Sequence, residues 1–276
     1  MSLTLNQVIS PYLPAPVTLH LNPGIHGVIG PNGVGKTTLL RLIAGHHRPR
    51  GGSIEAERTA LARAGADACF AGHRIADHLA VTQVGHPLLD AALFTEVLDI
   101  AALTPQATIS TLSVGHRQLV SVATALAANA PITLLDEPFN GLDVRTRTAL
   151  RQLLIRLAGE REKWTLLLSS HRAEDLAGLV GDVIPIQAGV VLEPVDLDEI
   201  RNHYPTLTGP AAAVREIAGE HPIIAEAVLG PTLRLTLGQP LNSSEERRAA
   251  VEEVAVSQPD DQALIDLLSM TPPEGS

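Results

Sequence analysis

Gly30-Pro31-Asn32-Gly33-Val34-Gly35-Lys36-Thr37, continued by Thr38, decides how this chain reads. The spacing is G-x-x-x-x-G-K-[ST], a pattern that needs a strand before it and a helix behind it to hold phosphate. Both are predicted here. Residues 25–29 are a short apolar run, and residues 38–44 carry apolar side chains at helical spacing and stop at Gly45. Three glycines let the backbone wrap so that successive N–H groups converge on one anion, backed by the positive end of the helix. Lys36 adds a point charge for the terminal phosphates, and the Thr37 hydroxyl is placed to ligate Mg²⁺. Lys36 and Lys163 are the only lysines in the chain, so the placement of one of them here carries weight.

The 276 residues are 45% hydrophobic, enough for one large domain with a smaller appendage. Aromatic residues make up 2%, so the core must be built from Leu, Val, Ile and Ala. A formal charge of −10 excludes a generally basic surface and argues against nucleic acid or anionic lipid as partners. The lone Cys69 cannot form an intrachain disulfide, fits a reducing compartment and reads as a core residue. Residues 1–16 show no basic-then-apolar export pattern. The charge-free window 118–135 contains Asn129 and Pro131, which split it into a helix and a strand instead of a membrane span.

Along the chain, residues 17–21 alternate as a strand of a small antiparallel sheet. Residues 49–54 read as a turn before another strand, and 67–73 as a short buried strand ending in a polar loop. A helical pattern runs over 76–103, a second over 117–128, a third over 147–159 and a fourth over 172–179, with apolar strands at 132–137 and 165–169. Helices alternating with fully apolar strands predict a mostly parallel α/β sheet. After residue 193 the order becomes helix 210–218, strands 223–229 and 233–237, helix 244–251, strand 252–256 and a last helix 260–268, a small open-faced α/β sandwich. Tyr12, upstream of the loop, either stacks on a base or is a partly buried core residue.

Asp136 and Glu137 close a buried strand. Two acids there make sense in front of a bound phosphate: Asp136 to hold Mg²⁺ opposite Thr37, Glu137 to orient or deprotonate a water. His171, just after the strand at 165–169, is placed to reach the same water or phosphate. Zinc ligation by His73, His78 and His86 lacks a Cys or acid to complete it.

The phosphate loop, Leu112-Ser113-Val114-Gly115-His116, Leu134-Leu135-Asp136-Glu137-Pro138, Gly141-Leu142-Asp143 and Ser170-His171 occur in the order and approximate spacing of an ATP-binding-cassette (ABC) ATPase, which residues 1–193 resemble. The resemblance implies a P-loop NTPase cassette with a mostly parallel sheet, an antiparallel β subdomain and a helical subdomain at about 74–130, followed by a small α/β domain at 194–276. It implies ATP and Mg²⁺ as cofactors, Glu137 and His171 as catalytic residues, and two cassettes paired head to tail. Ser113 and Gly115 would then serve the partner's γ phosphate, and Asp143 would lie at the dimer contact.

Two departures stand out. The family signature usually reads L-S-G-G-Q; Val114 and His116 replace its glycine and glutamine, and a valine restricts the backbone where glycine permits close approach. His73 occupies the position of the family's glutamine loop. The C-terminal texture, with residues 233–237 and 263–271, is similar to ATPase subunits of drug-exporter-type transporters. The implied function is an ATPase at the cytoplasmic face of the membrane, driving a separate transmembrane permease, in the export direction. A soluble non-transport cassette and a weakly active regulatory cassette paired with a sister subunit are the alternatives.

Overall fold

A computed structural model describes residues 3–65, 69, 72–86 and 88–270. Two compact units divide the described residues, one ending at Pro194 and the other beginning at Val195.

The first unit begins with β1 (Leu3–Ile9) and β2 (Val17–Leu21), which pair antiparallel. β1 buries Leu3, Leu5 and Val8; its period of two breaks at a bulge where Gln7 adopts φ 47°. β3 (Gly24–Ile29) follows and leads into the phosphate loop and α1 (Lys36–Ile43). β4 (Gly51–Glu55) returns to pair with the other edge of β1. The strand therefore occupies residues expected to form a turn: Gly52, at φ 77°, meets the Gln7 carbonyl across the bulge, where only a residue without Cβ fits.

β5 (Thr59–Ala62), β6 (Ile132–Asp136), β7 (Thr165–Ser170) and β8 (Asp182–Gln187) join β3 in a parallel sheet ordered β8-β3-β7-β6-β5, with β9 (Val190–Val191) antiparallel on β8. Every residue of β6 and β7 is buried, as for central parallel strands covered on both faces. Leu39, Leu40, Leu42 and Ile43 of α1 join residues of both sheets in one core. Each buried leucine or isoleucine there stabilises the fold by about 1.5–3 kcal/mol.

The helical region is α2 (Ile75–Gly85), α3 (Ala91–Asp99), a 3₁₀ turn (Ile109–Thr111) and α4 (Val114–Ala127). The single helix expected over 76–103 is two, because α2 ends at His86 and the Asp90 side chain starts α3 by accepting from Leu93 N–H. α3 buries Leu93, Phe94, Val97 and Leu98, and α4 buries Leu119, Val120, Val122, Ala123 and Leu126. α5 (Val144–Glu160) is capped by Asp143. α6 spans only Ala173–Leu176, half the expected length, and Gly178 at φ 67° turns the chain away. Of the stretch 67–73, expected as a short buried strand ending in a polar loop, residues 67, 68, 70 and 71 lie outside the described residues, and Cys69 is buried.

The second unit opens with β10 (Val195–Asp196) and α7 (Leu197–Arg201). Then come β11 (Thr206–Pro210), α8 (Ala211–Ala218), β12 (Ile223–Leu229), β13 (Thr232–Leu237), α9 (Ser243–Val251), β14 (Ala255–Ser257) and α10 (Asp261–Met270). From β11 to β14 this is the β-α-β-β-α-β order of a ferredoxin-like fold, with an antiparallel sheet ordered β12-β13-β11-β14. Its own core gathers Leu207, Val214, Ile217, Leu233, Leu235, Leu237, Ala249 and Val254. A capping box between Asn242 and Glu245 starts α9.

Candidate functional site

The strand register brings the chemistry together. Asp136 is level with Ser169, and Ile29 with Ser170, so β3, β6 and β7 deliver their C-terminal ends to one place. There the phosphate loop leaves β3. Gly30 has φ 144°, and a Cβ on it would stand 2.5 Å from the Ile186 carbonyl of β8. Gly35, at φ 121°, precedes the first residue of α1. These two positions need glycine for both space and conformation. Pro31, Asn32 and Gly33 are exposed, while Val34, Thr37 and Thr38 are half-buried.

Lys36 is 5% exposed. Its Nζ donates to the carbonyls of Gly30 (2.8 Å) and Pro31 (3.1 Å) and lies 3.4 Å from Glu137 Oε1. The other carboxylate oxygen of Glu137 meets His171 Nδ1 at 2.9 Å. Lys36, Glu137 and His171 thus form one chain of charge and hydrogen bonding, assembled from α1, the end of β6 and the end of β7. Glu137 adopts φ 48°, a left-handed conformation costing about 1–3 kcal/mol for a residue with a side chain. That turn points its carboxylate away from the strand direction and back toward the loop.

Behind this chain is a second one. Thr37 Oγ1 donates to Asp136 Oδ2 (2.8 Å), Ser169 Oγ donates to Asp136 Oδ1 (2.6 Å), and Glu137 N–H donates to Ser169 Oγ (3.0 Å). The paired hydroxyl and carboxylate of Thr37 and Asp136 are hard oxygen donors beside a helix N-terminus, a set that suits Mg²⁺ better than a softer metal. Among the described residues no three His, Cys, Asp or Glu side chains are placed to hold a metal, so the zinc alternative for His73, His78 and His86 finds no site. His78 is buried against Thr124 at 3.1 Å, with its pKa lowered first by burial and then by His73. His73 itself is exposed ahead of α2, its carbonyl accepting from Ile109 N–H.

Leu112 to His116 form the start of α4 and stand outside the Lys36–Glu137–His171 chain. Ser113 Oγ caps the helix by accepting from His116 N–H at 3.1 Å, and the residue is exposed. Gly115 packs backbone to backbone on Gly141: a Cβ on Gly115 would stand 2.1 Å from the Gly141 carbonyl. Val114 is the first helical residue and half-exposed at 52%. Its backbone is helical, a conformation any L residue adopts, so what it adds relative to glycine is side-chain bulk at the exposed helix start. Asp143 caps α5 through Thr146, whose N–H and hydroxyl bind its carboxylate at 2.9 Å each and hold its pKa below the ordinary value. Tyr12 is 63% exposed, which removes the buried-core alternative.

Two positioning residues escaped the sequence reading. Ser169 ties both acids together, and Gln118 of α4 donates to the Asp136 carbonyl (3.0 Å) while accepting from Gly65 N–H (3.3 Å). Both are buried polar residues in apolar stretches, at 0% and 2% exposure, and that was the available signal.

Residues 15–140 match the ABC transporter family. The thiamine import ATP-binding protein ThiQ of Rhizobium meliloti (strain 1021) is 35% identical over 190 residues, covering 63% of this chain and 79% of that one. The Fe(3+) ions import ATP-binding protein FbpC 3 of Rhodococcus jostii (strain RHA1) is 30% identical over 249 residues, covering 80% of this chain and 67% of that one. A solved ATP-binding subunit of an ABC transporter superposes with a TM-score of 0.63 at 23% identity, over 73% of this chain and 92% of that one, which shows the fold. The two curated relatives are import subunits by name, so the export direction expected from the C-terminal texture gains no support.

Proposed function

We infer, from the premise that this chain belongs to the ABC transporter family as an ATP-hydrolysing subunit, that it powers a permease on a separate chain. The observation that carries the reading is the Lys36–Glu137–His171 chain at the mouth of the phosphate loop.

In this reading the loop N–H groups and the N-terminus of α1 hold the β and γ phosphates of ATP. Lys36 leaves the loop carbonyls for the phosphates, which frees Glu137 from its ammonium partner. Glu137 then accepts a proton from the attacking water as the new O–P bond forms and the bond from phosphorus to the β,γ-bridging oxygen breaks. His171, donating from Nδ1, keeps the carboxylate aimed. Thr37 and Asp136 would hold Mg²⁺, whose chemistry there is neutralisation of phosphate charge. The exposed Ser113 and the N-terminus of α4 serve a second cassette, with Asp143 at the contact between the two. His116 takes the last signature position, and His73 stands in for the glutamine loop.

The permease is inferred from α2. Val81, Val84 and Leu88, on and just beyond this helix, are 48%, 84% and 70% exposed, an apolar group that suits a membrane protein's cytoplasmic segment. Among the described residues no helix is long and apolar enough to cross a membrane. We assign the chain to the cytoplasmic face through this partner, to the import direction by its relatives, and residues 195–276 to an accessory domain.

The test is co-expression with any polytopic membrane protein encoded beside it. Joint purification, ATPase stimulation and ATP-dependent solute uptake support the reading. Association with ribosomes or DNA in place of a membrane protein overturns it, and solute movement outward overturns the import assignment alone.

A further inference from the structure

We propose that His47 is the second ring of a nucleobase platform, holding Tyr12 in place so that the base of a bound nucleotide stacks on the face of Tyr12 that His47 leaves open. The inference rests on the reading of the loop as an ATP site and extends it to a residue outside every motif considered above.

The placement follows from the antiparallel sheet. Ile9 of β1 is level with Gly51 of β4, and Arg50 N–H donates to the Ile9 carbonyl at 2.7 Å. The turn after β1 and the segment entering β4 therefore run side by side. On the first, Ser10 fixes the turn: its Oγ accepts from Tyr12 N–H (3.2 Å) and its carbonyl from Leu13 N–H (3.4 Å). Leu13 is buried, with a methyl 3.0 Å from where a Gly35 Cβ would be. Tyr12 is thereby carried next to the phosphate loop. On the second segment, Gly45 at φ 73° ends α1, and the N–H groups of His46 and His47 both donate to the Arg41 carbonyl. Those two hydrogen bonds to one carbonyl fix the backbone that carries the His47 ring.

The two rings meet at 4.6 Å between centroids with an interplanar angle of 43°. His47 is half-buried, yet Tyr12 stays 63% exposed, so the tilted imidazole supports the phenol while leaving most of its ring open to solvent. An exposed ring on a fixed backbone, backed on one side and next to a triphosphate-binding loop, suits a flat π ligand. Backing it with a second ring removes rotamer freedom before the ligand arrives, so less ordering is left for binding.

The experiment is calorimetric titration of the full chain, in a Glu137→Gln background that blocks turnover, with MgATP and with Mg-tripolyphosphate, which has no base. His47→Ala is expected to weaken MgATP roughly two- to tenfold, the range set by one freed side chain. Tripolyphosphate binding stays unchanged, and His47→Phe restores MgATP affinity. MgATP affinity unchanged in His47→Ala overturns the proposal, as does equal weakening of both ligands, which would mean damage to the loop. Tyr12→Ala separates the two readings. If it alone weakens MgATP, the base platform stands and His47 is not part of it; if neither variant matters, the platform fails; if no form of the chain binds MgATP, the ATP site itself fails.

Discussion

Replacing Ser169 with alanine removes one oxygen and unties both acids of the site. The hydroxyl donates to the Asp136 carboxylate at 2.6 Å and accepts from Glu137 N–H at 3.0 Å, in a residue with 0% exposure. A hydrogen bond to a charged group is worth about 1.5–3 kcal/mol net and a neutral one about 0.5–1.5 kcal/mol. The expected loss is thus about 2–4 kcal/mol, which for a unit of this size lowers the melting temperature by roughly 5–15 °C. The catalytic effect is separate. Glu137 is held at φ 48° partly by the bond from its N–H to Ser169. Without that bond less offsets the left-handed conformation, the side-chain contacts to Lys36 and His171 carry the strain alone, and relaxation draws the carboxylate away from them. Steady-state ATPase assays below the melting temperature should show kcat down by about 10–100-fold, less than the ~10²–10⁴-fold of losing a positioned base outright because Glu137 is misaimed and not removed. KM for ATP should change little, because the loop is untouched. Ser169→Thr, which keeps the hydroxyl, should recover most of kcat. A folded Ser169→Ala protein with kcat within twofold of the parent would refute the reasoning.

Glu137→Gln should keep ATP binding while slowing hydrolysis by about 10²–10⁴-fold, and should accumulate an ATP-bound dimer in size-exclusion chromatography; equal rates would remove Glu137 from the chemistry. Lys36→Ala should lose ATP binding altogether, read by the same calorimetry. Gly115→Ala places a methyl 2.1 Å from the Gly141 carbonyl, so it should cost about 1–3 kcal/mol of overpacking in a denaturant titration, whereas His116→Ala, half-buried beside it, should cost far less. His78 has its pKa lowered from 6.5 by burial, so its neutral form belongs to the fold. Its contribution is present above 6.5 and is lost as pH falls below that value, because the unfolded chain takes up the proton first. Urea midpoints measured from pH 7 down to pH 5 should therefore fall less steeply in His78→Gln than in the parent.

The parts legible in the sequence are those where one short stretch contains its own physical reason. The phosphate loop states its glycines, its lysine and its flanking strand and helix within some twenty residues. β6 and β7 read as buried strands because both faces are covered and every side chain but the terminal Asp136 is apolar or small. β8 did not read as a strand, with Pro185 in its middle, and β11 ends in Gly209-Pro210; β8 is held by β3, far earlier in the chain, and β11 by β13, which the chain reaches later. The break between α2 and α3 was signalled by Gly85 and by Asp90 as a cap, but the apolar periodicity runs straight across it. Ser169 and Gln118 could not be assigned roles because each acts on Asp136 from another element, 33 and 18 residues away. Val114 lies in ordinary helix, so the cost of this motif departure resides in the bulk of its side chain and not in its backbone dihedrals.

The contact between Gly115 and Gly141 has a mechanical meaning. Side chains between two elements act as springs, since rotamers shift and absorb displacement. Here main chain rests on main chain, with room for no Cβ on Gly115. Gly141 belongs to the loop that runs from Glu137 to Asp143, and Gly115 to the first turn of α4. Any shift of that loop must therefore reach the tip of α4 nearly undiminished, which makes the two ends of the cassette surface a single rigid strut.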